Sequence, residues 1–392
     1  VSRASGKARR AIALAVVLLA AASQTAFSGS RSSKSMPELD LGSLLLVGFS
    51  GTEVSGNREL EELLCVMRVG GIILFARNIA DAEQVARLTR DARDASRACS
   101  GRALLVATDA EGGQVMRLGP NAGYTPTLSH QDLGSDNDLA MTELEARRIG
   151  RMLREAGIGW NLAPVVDVGY NPANPVIVRP ARSFGAGPVL VTDHARAYIR
   201  GMHAEGVLTA LKHFPGHGSS FADSHLGFVD VTDTASRDVE MLPYRTLIAE
   251  GRADSVMTAH VFNRRLDPRY PATLSRPTIR GLLRTELRFQ GVVVSDDLRM
   301  GAIEKQWGLV DAVVMALRAD LDMLLIGEDR LADGHSAAAK ALGALRAALS
   351  DRRLDAKQVA AAIQRVQALR ARAAALEAPA RSADVSSASE PQ

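Results

Sequence analysis

The sequence predicts an α/β protein built as a single (β/α)8 TIM-type barrel. Three observations carry the prediction. Eight short apolar runs recur from residue 44 to residue 326. Stretches of helical period separate them, and alternating buried strands and amphipathic helices imply a parallel sheet covered on its outer face. The length also suits one barrel once the two ends are set aside.

The expected strands, in order, are Leu44–Phe49, Gly71–Phe75, Ala103–Thr108, Trp160–Val168, Val207–Lys212, Ser255–His260, Val292–Ser295 and Asp322–Ile326. Between them, 80–98 repeats Val85, Leu88 and Ala92 at helical spacing, and 142–156 reads the same way. A last amphipathic helix is expected over 356–376, with Val359, Ile363, Val366 and Leu369 on one side. A doubly wound open sheet is the rival. It would want a glycine-rich phosphate turn after the first strand, and Phe49-Ser50-Gly51-Thr52 is a poor match.

Outside this core, residues 1–35 read as a leader. Arg3, Lys7, Arg9 and Arg10 precede an apolar run, Ala11 to Ala22, that is too short for a comfortable membrane span. Export to the periplasm is the expectation, with a cytoplasmic product starting near Met36 as the alternative. The barrel domain is expected over 36–377, and the Ala-, Ser- and Pro-rich tail 378–392 reads as disordered. Of the 47 basic residues six fall in the leader, which leaves 41 against 44 acidic ones. No basic stripe with interleaved aromatics remains, so nucleic acid is not an expected partner. The two cysteines, Cys65 and Cys99, suggest neither a disulfide framework nor a thiolate zinc site, and Cys65 is expected to be a buried structural thiol.

The chemistry concentrates at strand ends, where barrels of this kind keep their active sites. Asp109 to Gly113 and Arg117 follow the third strand, Asp167 ends the fourth, and His260 and Asp296-Asp297 end the sixth and seventh. Asp297 has the bland alternative of a cap or backbone acceptor. After the fifth strand comes LKHFPGHGSSFADSHLG, residues 211–227, which packs His213, His217, His225, Asp223 and Lys212 among glycines. Histidines titrate nearest neutrality, and Gly and Pro mark a loop. Carboxylates, cations and histidines with little apolar lining suit a neutral polar ligand such as a sugar.

Two mechanisms fit these residues. Asp296 could act as the nucleophile of a glycosidase, with His225, oriented by Asp223, as proton donor and then acceptor. A histidine donor would be an exception, since most such enzymes use a second carboxylic acid. Alternatively His213, His217, His225 and Asp223 ligate a metal that activates water. The spacing of His213 and His217 would suit one face of a helix, but Pro215 and Gly216 between them argue against one.

KHFPGHG at 212–218 and ADSHLG at 222–227 resemble the signature loop of the β-N-acetylglucosaminidases of glycoside hydrolase family 3. GGIILFARN (70–78), TDAEGGQVMRLG (108–119), NLAPVVDV (161–168), RSFG (182–185), MTAHVFNRRLDP (257–268) and SDDLRM (295–300) follow in the family's order. The resemblance implies a retaining exo-glycosidase that removes terminal β-linked N-acetylglucosamine from small carbohydrates: peptidoglycan fragments (cell-wall recycling) or chitooligosaccharides. It implies no cofactor and no metal. By position, Asp296 resembles the nucleophile, His225 the general acid/base and Asp223 its partner. Asp109, Arg117, Arg182, Lys212 and His213 resemble the residues that grip the terminal sugar, with Met300 lining the same subsite. The segment 174–182 runs longer than the family's, which leaves Arg179 as a competitor to Arg182. A β-glucosidase or a phosphorylase of the same family is the remaining alternative.

Overall fold

Short apolar runs bounded by glycine or polar residues leave little choice but buried strands. The computed structural model describes residues 39–377, so the leader and the tail 378–392 lie outside the described residues. Eight parallel strands form the barrel: β1 (Leu45–Gly48), β2 (Gly71–Leu74), β3 (Leu105–Thr108), β4 (Trp160–Asn161), β5 (Leu208–Phe214), β6 (Ser255–Thr258), β7 (Val292–Val294) and β8 (Leu324–Ile326). The sheet order is β7-β6-β5-β4-β3-β2-β1-β8. A parallel bridge between Val294 and Met323 closes the ring. Every residue of these strands is buried, because helices cover the outer face and side chains fill the interior.

Two strands depart from expectation. The fourth is regular only over Trp160–Asn161, since Pro164 has no N–H to offer the ladder. The following residues still track β5: Ala210 N donates to Ala163 O at 3.0 Å and Val166 N to Lys212 O at 2.8 Å. The fifth strand runs to Phe214, with a register shift between Leu211 and Phe214. Lys212, expected at the end of this strand, is joined on it by His213 and Phe214, which therefore do not belong to the loop.

The end of the barrel away from the site is tied by charge. The buried Asp322 receives Arg284, Arg365 at 2.8 Å and the Val293 amide at 2.8 Å. The buried Asp254 receives His203 at 2.7 Å and Arg372 at 2.6 Å. Arg365 and Arg372 come from the final helix, Ala356–Glu377, which thereby belongs to the barrel. Cys65 and Cys99 form a disulfide, with Cα atoms 5.3 Å apart. The expectation of a free buried thiol is corrected: Cys65 is half-buried, Cys99 is exposed, and the two helical segments that flank β2 are joined. Among the described residues no helix is long and apolar enough to cross a membrane.

Candidate active site

Side chains from the ends of seven strands, β2 to β8, line one cavity of about 400 Å³. Lys212 and His213 come from the end of β5, Asp109 follows β3, Asp296 and Asp297 follow β7. Arg117, Arg182, Asp223, His225 and Met300 line it from the loops.

A buried charge network forms one wall. Lys212 Nζ lies 2.7 Å from Asp109 Oδ1 and 2.7 Å from Glu111 Oε1. Arg182 grips Glu111 with two parallel bonds, Nε at 2.9 Å and one terminal nitrogen at 2.8 Å. Burial alone would push the Glu111 carboxyl up, but the Arg182 and Lys212 cations outweigh it and hold it well below the carboxylate range. Burial likewise disfavours the Lys212 ammonium, yet Asp109 and Glu111 raise its pKa. Glu111 and Lys212 thus stay ionised and present a fixed acceptor and a fixed donor. Arg117 sits 3.5 Å from Asp109 Oδ2, and its guanidinium lies 5.8 Å from the centroid of the Phe75 ring.

His213 is fixed in one tautomer by its neighbours. Its Nδ1 is 2.6 Å from the buried Asp167 Oδ2, and its Nε2 is 3.2 Å from an Arg182 nitrogen. A guanidinium only donates, so Nε2 must accept and Nδ1–H must donate. Asp167 also accepts the amides of His213 and His217, at 3.2 and 2.7 Å. Burial raises its carboxyl, but the adjacent His213 more than offsets this and the pKa is lowered.

His217 is a pin for the loop. Ser220 Oγ donates to His217 O at 3.0 Å, so His217 Nδ1–H donates to Ser220 Oγ at 2.7 Å. Nε2 is then free to accept from Ser224 Oγ at 3.0 Å. Burial lowers its pKa to about 4, so the ring is neutral at physiological pH. With both nitrogens of His213 and of His217 engaged, the four-residue metal cluster considered from sequence is not assembled.

Across the cavity stands the Asp223–His225 pair. Asp223 Oδ1 accepts both the His225 amide, at 2.8 Å, and its Nδ1–H, at 2.7 Å. The loop is moored at its far end, since His225 O and Ser224 O accept the amides of Gly301 and Ala302 at 3.1 Å each. These are the first turns of the helix Gly301–Ala319, whose leading amides need outside acceptors. Lys305 Nζ adds a bond to Leu226 O at 2.8 Å. The His225 side chain itself remains 58 % exposed, so its Nε2 can face a ligand.

Asp296 lies on the cavity floor. Burial would raise its carboxyl, but its surroundings, His260 first among them, bring it down to about 2. It is an anion at any working pH. Asp297 differs: burial raises its pKa, and its Oδ1 accepts the amides of Arg299 at 3.0 Å and Gly327 at 2.9 Å. It is a backbone acceptor that ties the end of β7 to the end of β8. A Cβ on Gly327 would lie 2.3 Å from Asp297 Oδ2, so that approach needs glycine. His260 Nε2 donates to Asp297 O at 2.9 Å and steadies the same turn.

The chain's relatives agree with this arrangement. The model of the glycosyl hydrolase family 3 N terminal domain matches residues 37–369. The chain belongs to glycoside hydrolase family 3. A beta-hexosaminidase of Stenotrophomonas maltophilia strain R551-3 is 36% identical over 304 residues, which cover 74% of this chain and 85% of the relative. Beta-hexosaminidase A of Pseudoalteromonas piscicida is 36% identical over 286 residues, 68% of this chain but only 47% of the relative. The chain therefore spans about half the length of that protein. The solved family 3 beta-N-acetylglucosaminidase of Paenibacillus sp. str. FPU-7 superposes with a TM-score of 0.81 at 36% identity, over 88% of this chain and 64% of that one. The beta-N-acetylhexosaminidase of Beutenbergia cavernae gives 0.77 at 32% identity, over 85% and 97%.

Within this family 3 barrel all nine expected site residues line the one cavity. Arg182 lies in it, whereas Arg179 is exposed and outside its lining. Sequence reading noted Asp167 at a strand end and Glu111 within the segment 109–113, but gave neither a role. Their importance lies in partners 71 and 46 positions away.

Proposed function

We propose that this family 3 glycoside hydrolase is a retaining exo-β-N-acetylglucosaminidase. The reading rests above all on the placement of an ionised Asp296 and the Asp223–His225 pair in one cavity, on different strand-end loops. In the first step Asp296 attacks the anomeric carbon while His225 Nε2–H gives its proton to the departing glycosidic oxygen. Asp223, bound at Nδ1, fixes the orientation of the ring and keeps Nε2 turned to the substrate. In the second step His225 Nε2 takes a proton from water as that water displaces Asp296, restoring both groups. Lys212, Arg182 and Asp109 hold the hydroxyls of the terminal sugar, with Arg117, His213 and Met300 completing the subsite. Asp109 accepts from the sugar while the cations donate.

The substrates are taken to be peptidoglycan fragments or chitooligosaccharides ending in N-acetylglucosamine. We also propose that the protein works outside the cytoplasm. The Cys65–Cys99 disulfide supports that location, because such bonds persist in oxidising compartments.

The test is hydrolysis of chromogenic β-N-acetylglucosaminide and β-glucoside by the wild type and by His225→Ala, with and without a chelator. Chelator-resistant hydrolysis of the N-acetylglucosaminide that collapses in the variant supports the reading. Preference for the β-glucoside, or loss of activity with chelator, overturns it.

A further inference from the structure

We infer that a second groove, on the outer wall of the barrel, binds a carboxylate-bearing oligosaccharide. It lies between the helix that opens at Pro277 and the helix Gly301–Ala319, and has a volume of about 510 Å³. That volume is within the usual range of ligand pockets, roughly 300–1,000 Å³. Arg276, Arg318 and Arg353 line it and continue into an adjoining cleft that adds Arg352. All four are exposed.

Arg276, Arg318 and Arg352 have no ion-pair partner among the described residues. Arg353 has only the exposed Asp351, at 3.8 Å. Local structure does not account for Arg276. It is the N-cap of its helix, where the positive end of the helix dipole disfavours a cation. Asp311 and Asp355 on the walls reduce the positive charge but pair with none of these arginines.

The groove also has flat apolar surfaces. Trp307 and Tyr270 are half-buried in its wall, and the Trp307 indole N–H makes no hydrogen bond within the described residues. Trp307 stands where the helix breaks: the next residue, Gly308, has φ 66° and ψ 162°. Aromatic rings match the C–H faces of pyranoses, and guanidinium forks match carboxylates in two-point contact. The combination selects a sugar acid over a neutral glycan. The chain's acidic excess outside the leader argues against a nucleic acid.

This inference does not depend on the catalytic reading, because the groove shares no lining residue with the active-site cavity. The test is titration calorimetry of the full chain with a hexamer of galacturonic acid, with chitohexaose and with a short single-stranded DNA. Binding of the uronate hexamer at sub-millimolar concentration is expected. Arg276→Ala/Arg318→Ala should weaken it about tenfold or more, and Trp307→Ala similarly, with chromogenic hydrolysis unchanged in the arginine variant. Absence of uronate binding, equal affinity in the arginine variant, or tighter binding of DNA than of the uronate would each overturn the proposal.

Discussion

At the scale of single residues the site depends on groups held in one protonation state by named neighbours. The ordinary carboxylate and histidine values say little here; burial and partner decide. His225→Ala should lower kcat by about 10²–10⁴-fold, the range for loss of a general acid/base, measured with a chromogenic N-acetylglucosaminide. A loss under fivefold would contradict its role. Glu111 makes a sharper case, because Lys212 and Arg182 are both built around it. Glu111→Ala leaves two buried cations without their shared anion, which costs about 3–5 kcal/mol in comparable buried pairs. Denaturant unfolding should show that loss, accompanied by a raised KM. A variant of unchanged stability would mean that the network is not a unit. The sequence displayed Asp109, Asp296 and His225 openly, as ionisable residues at the ends of apolar runs. It did not display what Glu111 and Asp167 do, since a buried carboxylate is explained by partners that only folding brings near.

Elements account for the next level. The helix Arg237–Ala249 packs Glu240 behind the catalytic loop, where a Cβ on Gly216 would meet its side chain at 2.8 Å. Burial raises its pKa from 4.5 to about 7. The Tyr170 hydroxyl, 3.1 Å from Glu240 Oε1, favours the carboxylate but does not offset burial. The sign follows from linkage. Between pH 4.5 and 7 the folded state keeps a proton that the unfolded chain has lost, so this contribution is full below 4.5 and declines as pH rises. The decline is about 3 kcal/mol at 1.36 kcal/mol per unit. Glu240→Gln should flatten the fall in stability between pH 5 and 7 in unfolding titrations. An unchanged slope would place the proton elsewhere. The Cys65–Cys99 bond acts between helical elements and closes a loop of sequence separation 34. Cys65→Ser/Cys99→Ser should cost about 3–4 kcal/mol by loop entropy, read as a lower unfolding midpoint under non-reducing conditions. Equal midpoints would show that the bond contributes nothing. Two cysteines 34 positions apart carry no sign of this pairing, because only the packing of the two helical segments around β2 sets them face to face.

For the whole molecule, the barrel was readable because its strands are short, apolar and buried on both faces, so periodicity alone locates them. The fourth strand was misjudged in length where Pro164 interrupts the ladder, and the fifth where the chain shifts register to carry His213 and Phe214, beyond Lys212, on the strand itself. One end of the barrel spends its buried carboxylates, Asp254 and Asp322, on arginines and a histidine of the chain. The other end leaves Asp296 and His225 facing a cavity. That asymmetry is what makes the second end the reactive one. The central claim is that Asp296 forms a covalent glycosyl-enzyme. Incubation with a slow fluorinated N-acetylglucosaminide followed by peptide mass spectrometry tests it directly. The account predicts one sugar adduct, on the peptide that carries Asp296, and none in Asp296→Asn. Steady turnover of that substrate with no adduct, or an adduct on another residue, would contradict it.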